Sequence, residues 1–219
     1  MAMKKLKSFD QNFFDLLRDA HVWEYTQIND TKEKREKKKP KLYFTHAQWL
    51  LIAIAALCVV LCPKGIDANF AGYIISGLSL FAGILFTLAV SLFDKFNNVD
   101  FTQYKESINA DLYPLGVRLK NYFKKSIVMT LYTAILAIGC ILMLSLVFMF
   151  DGLQQNVDVI TICKSWCLYD GCYLMNAGLI VLYRLVLLYM LLNFIYITKQ
   201  MITSFYDYMV SEIDKIKLK

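Results

Sequence analysis

LMNAGLIVLYRLVLLYMLLNFIYI, residues 174–197, carries a single charge, Arg184, near its middle. A helix needs roughly 20 mostly apolar residues to cross the hydrocarbon core of a bilayer. Leu42–Cys62, Phe70–Phe93 and Ile127–Phe150 meet the same requirement. Outside a bilayer, four such helices would leave a 219-residue chain with too little polar surface, and the 58% hydrophobic composition and mean hydropathy of +0.44 agree. The expected fold is all-α: a four-span transmembrane helical bundle with cytoplasmic helical extensions. Residues 1–41 read as an amphipathic helix and basic linker, 42–197 as the membrane domain with a cytoplasmic helical hairpin over 94–126, and 198–219 as a cytoplasmic tail.

Lys and Arg in short flanking segments stay cytoplasmic during insertion. Eleven precede the first span, six lie between the second and third, and four follow the fourth. The other two loops hold one each, Lys64 and Lys164. Both termini are therefore expected in the cytoplasm. Residues 1–41 lack an early apolar segment of the kind a cleaved signal peptide has, so the first span is expected to serve as an uncleaved anchor. The Lys-rich, proline-poor composition suits a bacterial inner (plasma) membrane.

Outside the spans, Ser8 and Gln11 form a candidate capping box. Leu6, Phe9, Phe13, Leu17 and Ala20 then share one helical face, with Trp23 close by. That face suits packing on the protein's own helices, an interfacial membrane helix or a docking surface for a soluble partner. The run TKEKREKKKPK, residues 31–41, reads as a topology anchor that senses anionic lipid. It lacks the aromatic interleaving of a nucleic-acid site, so direct nucleic-acid binding is not expected. Asp111 and Pro114 read as a helix stop and restart. Cys62, Cys163, Cys167 and Cys172 are candidates for one disulfide or for apolar thiols. The C-x3-C-x4-C spacing is not a zinc pattern, and no metal or other cofactor is expected.

Arg184 is the most unusual residue. Arg at a span centre costs about 2.5–3.5 kcal/mol on insertion scales, and no span holds an Asp or Glu to pair with it. Its partners must be backbone carbonyls, Tyr or Asn side chains, water, an anion or another subunit. It would either fix helix packing or face a wet cavity, where a ring of such residues favours anions. Tyr189, Asn193, Tyr196 and Gln200 form a second polar wedge, Asn193 lying about 180° from Arg184. In the second span Gly72, Ser76, Ser79, Gly83, Thr87 and Ser91 share one face. Ser126, Thr130, Thr133, Ala137 and Cys140 do so in the third. Small residues allow close helix approach, so the two stripes are expected to mate, while the same residue types would also line a narrow aqueous path.

No catalytic motif occurs: His21 and His46 stand apart, with no G-x-S-x-G, no phosphate-binding loop and no H-E-x-x-H. An enzyme is not expected. Two readings remain, a homo-oligomeric channel-like protein and a membrane anchor or regulatory subunit for a soluble cytoplasmic effector. The KEKREKKKPK run, four spans with cytoplasmic ends and the lack of an extracellular domain resemble the small multi-pass membrane proteins that accompany RNA-targeting effectors of type VI-B CRISPR systems, and other pore-like anti-phage effectors. The resemblance implies a defence role through changed membrane permeability and carries over no individual residue.

Overall fold

The structure, a computed structural model, describes residues 9–28, 37–39, 44–104, 112–164 and 169–217. Among these, every regular element is helical: α1 (Phe9–Tyr25), α2 (His46–Leu61), α3 (Ala68–Asn97), α4 (Tyr113–Met149), α5 (Val159–Lys164) and α6 (Gly171–Lys217). Short 3-10 turns cover Thr102–Tyr104 and Asp151–Gln154. Three helices, α3, α4 and the Gly171–Asp207 part of α6, are long and apolar enough to cross a membrane.

The first expected span is shorter than its hydropathy suggests. Helix α2 has 16 residues, about 24 Å at 1.5 Å per residue, against a core of about 30 Å. Its start is set by Thr45, whose side chain accepts from the Gln48 N–H while the Gln48 side chain accepts from the Thr45 N–H. This reciprocal cap satisfies two orphan donors and excludes Phe44 from the helix. At the other end Pro63 disfavours helical backbone in Cys62, which is non-helical (φ −109°, ψ 87°).

The chain forms two compact units, and α3, α4 and α6 each contribute residues to both. In the unit of residues 44–84 and 134–196, Ala71, Leu78 and Ala82 of α3 pack with Ala137, Cys140, Leu144 and Val147 of α4 and with Leu187 of α6. The buried face of α3 continues as Leu85, Ala89 and Leu92. These positions recur at alternating steps of four and three, the 3.5-residue repeat of left-handed helix packing. Alanine at every second step allows close approach without burying a polar atom.

The other unit comprises 1–43, 85–133 and 197–219. Leu92, Tyr122 and Phe123 form its core, flanked by Leu88, Phe96, Leu119, Ile127, Phe205 and Ile28. Helix α1 docks through its C-terminal half, burying Ala20 and Trp23. Asp19 pairs with Lys124 at 2.9 Å, and Lys125 and Asn121 donate to the Thr26 and Ile28 carbonyls. Phe13, expected on the same face, is exposed. Leu6, Ser8 and Asp111 lie outside the described residues, whereas Pro114 sits in the first turn of α4.

Ala137→Leu should lower stability by about 1–3 kcal/mol through overpacking, read as a lower melting temperature of detergent-purified protein. A second outcome concerns pH. Burial and the charge of Lys39 hold His21 below its usual 6.5, although Glu24 approaches Nδ1 to 3.3 Å. The unfolded chain then binds more protons than the folded one just below that pH, so stability falls as pH drops through 6.5. Amide exchange over residues 19–25, corrected for intrinsic rates, should be faster at about pH 5.5 than at about pH 7.5. His21→Gln should remove the difference.

Candidate functional site

Helix α6 presents Ala177, Ile180 and Leu187 to the interior at steps of three and seven, and Arg184 falls in the same seam. Its side chain must therefore point inward, and it is only 4% exposed. The guanidinium meets main-chain oxygen there. Nη1 donates to the Pro63 carbonyl at 3.4 Å, and Nη2 donates to the Gln155 carbonyl. The Pro63 carbonyl also accepts from the Val157 N–H at 2.9 Å. Gly65 N–H donates to Asn156 Oδ1 at 2.8 Å, and Gln154 Nε2 to the Val147 carbonyl at 3.2 Å. A Cβ at Gly65 would overlap the Gln154 carbonyl, so the two turns interlock only because this residue has no side chain.

The arrangement answers two electrostatic demands together. The Pro63 carbonyl lies just past the end of α2, where carbonyls lack intrahelical donors and the helix end attracts cations, and the Gln155 carbonyl follows the 3-10 turn Asp151–Gln154. A desolvated guanidinium needs acceptors in turn. Charged hydrogen bonds of this kind contribute about 1.5–3 kcal/mol each. Tyr183, one residue before Arg184, donates through its hydroxyl to the Met143 carbonyl at 2.6 Å, well before the α4 terminus at Met149. Among the alternatives open for Arg184, backbone carbonyls are the partners observed.

Asn193 is 3% exposed, on the side of α6 away from Arg184, and its Oδ1 has no hydrogen-bond partner among the described residues. Tyr189 and Tyr196 are half-buried, Tyr189 lying edge-on to Phe44 at 6.3 Å. On α4 the expected stripe faces inward: Ser126, Thr130, Thr133, Ala137 and Cys140 are all buried. Thr130 and Thr133 donate to the carbonyls four residues back, at 2.8 and 2.7 Å. Such bonds let hydroxyls sit in an apolar contact.

The expected mating of this stripe with the one on α3 does not occur. Ser76, Ser79, Gly83, Thr87 and Ser91 are exposed, and Gly72 is half-buried. The alanine–leucine face of α3 takes the interior instead, its leucines filling the contact and its side chains carrying no polar atoms. A Cβ added at Gly77 or Gly83 meets nothing within 4 Å, whereas one at Gly72 lies 3.7 Å from the Phe148 ring. Ser76 donates to the Gly72 carbonyl at 3.0 Å.

Cys58, Cys62, Cys140, Cys163 and Cys172 are free thiols, and Cys167 lies outside the described residues. No group of metal-binding side chains occurs among the described residues. Asp158 opens α5 by accepting from the Ile160 and Thr161 N–H groups and the Thr161 hydroxyl; the Thr161 bonds hold its carboxyl below the usual range. No protein-family model matches the chain, nor does any curated protein or solved structure.

Arg184→Ala would remove the side-chain donor to the Gln155 carbonyl and one of the two donors to the Pro63 carbonyl, which keeps the Val157 N–H. The expected loss is about 1–3 kcal/mol, seen as a lower melting temperature and faster proteolysis at residues 62–65 and 154–157. Gly65→Ala should have the same signature. Wild-type stability in both variants would reject the clamp.

Proposed function

We propose that the chain is a four-span membrane protein with both termini cytoplasmic, acting as a homo-oligomeric, channel-like assembly that alters membrane permeability. The observation that carries this reading is the outward face of α3. Within a helix apolar enough to span a bilayer, Ser76, Ser79, Thr87 and Ser91 are exposed alongside Gly83. Hydroxyls on a span suit another helix or water better than acyl chains. Facing sister copies around an axis, this surface gives both a close contact and a polar lining.

Two features support α2 as the fourth crossing. Helix α2, HAQWLLIAIAALCVVL, holds no Asp, Glu, Lys or Arg. The 16 residues of α2 remain compatible with a crossing, because a short apolar stretch is accommodated by local thinning of the bilayer at modest cost. The orientation is supported by charge. Residues 1–43, 85–133 and 197–219 carry 21 of the 24 basic side chains against 14 of the 18 acidic ones. Reporter fusions should place both termini inside; opposite sides would leave three crossings.

The channel reading is tested by purified protein in planar bilayers and in ion-flux vesicles. Wild type should conduct, and Gly83→Leu should abolish conductance and shift the native mass, with a monomer melting temperature within about 1 °C of wild type because the site is open. Wild-type currents and mass in this variant would reject the α3 face as the contact. The resemblance to anti-phage membrane effectors supports a defence setting, in which expression should lower phage plating only while conductance is intact.

A further inference from the structure

We propose that the end of α6 beyond its apolar run pairs, in parallel, with the same helix of a second copy through Ile202, Tyr206 and Met209. The pairing rests on the membrane reading above for its parallel sense, and its residues are not those of the α3 contact. Length is the first observation. Helix α6 is one continuous helix of 47 residues, about 70 Å at 1.5 Å per residue, against a hydrocarbon core of about 30 Å. Its apolar run closes at Ile197, and Lys199, Asp207, Glu212, Asp214, Lys215 and Lys217 follow. The last turns therefore stand in water, not in acyl chains.

The second observation is what this aqueous part exposes. Ile202, Tyr206 and Met209 are 58%, 66% and 60% exposed, and at about 100° per residue they share one face about 60° wide. The face that α6 uses within the chain is a different one. Ile197 and Met201 are buried there, and Phe205 packs against the core of Leu92, Tyr122 and Phe123. The sequence continues the exposed spacing with Ile213 and Ile216, so apolar residues recur at steps of four, three, four and three. That is the heptad spacing of a coiled coil, with Tyr206 and Ile213 at a, and Ile202, Met209 and Ile216 at d. Ser204, Asp207, Ser211, Asp214 and Lys215 fall at the outer positions b, c and f. An apolar stripe in water costs free energy until another surface covers it.

The third observation says what covers it. Two copies inserted with one orientation send α6 into the cytoplasm side by side and parallel. A parallel a/d stripe is its own complement, because each layer meets itself. Charge agrees with this. By sequence position Glu212 takes g and Lys217 the following e, the two positions that a parallel pair brings together, and they are opposite in sign. So short a stretch would pair weakly from dilute solution, but spans held in one assembly make the contact effectively intramolecular.

The test introduces cysteines into the full chain in native membranes and treats them with a short bismaleimide, wild type serving as the control for its own thiols. Ile202→Cys and Met209→Cys should each give a covalent dimer absent from wild type. Asp207→Cys, exposed but on another face, should give none. Adding Met209→Glu to Ile202→Cys should abolish the dimer without changing the melting temperature of the detergent-dispersed monomer, because that side chain is open to solvent. Equal dimer yield from Asp207→Cys overturns the pairing, and a product joined to a different protein overturns the second copy as its occupant. Native mass separates this proposal from the α3 contact. An oligomer without a cross-link at Ile202 or Met209 overturns the pairing and leaves the α3 contact standing, whereas a monomer at every concentration overturns both.

Discussion

A guanidinium bonded to two main-chain carbonyls joins the turn after α2 to the turn before α5. Arg184 occupies a seam position on α6 that its neighbours Ile180 and Leu187 fill with hydrocarbon, and it reaches the Pro63 and Gln155 carbonyls. A cation buried without an acceptor costs free energy that these contacts offset, and the carbonyls gain a charged donor. The contact therefore ties the turn after α2 to the turn that follows α4. Gly65 contributes the remaining requirement, an absent side chain where the two turns cross.

The helices beneath this cluster divide their small residues by polarity. Alanine lines the inner face of α3, and the threonines of α4 bury their hydroxyls by bonding to their own backbone. Serine and glycine are left on the outer face of α3. A single helix thus has an alanine–leucine side packed within the chain and a serine–glycine side left exposed. This division, rather than a charged constriction, is what connects the fold to the channel-like reading.

Much of this could be read from the letters, and the failures have physical causes. Long apolar runs identify α3, α4 and α6 because bilayer thickness demands length, and the exceptional character of Arg184 follows from charge in such a run. Its partners could not be read, since a peptide carbonyl has no residue signature. The start of α2 was legible in Thr45 and Gln48, a T-x-x-Q pattern, but hydropathy alone carried the span back to Leu42. The inward face of α3 was legible too, as a period of 3.5 from Leu78 to Leu92. Serine and glycine stood out on the other face, and small size alone does not say which face is buried. For α1, periodicity marked an apolar stripe without showing that the docking contacts stop short of Phe13.

The shared carbonyl of Pro63 has a practical corollary for labelling. It accepts from both Val157 and Arg184, so the two turns behave as one knotted surface rather than as pendant loops. An epitope inserted at either turn would pry open the cluster it was meant to report on. The exposed Asp170 and Cys172, at the head of α6, offer a gentler site for a tag or dye, because no side chain of the clamp is anchored there.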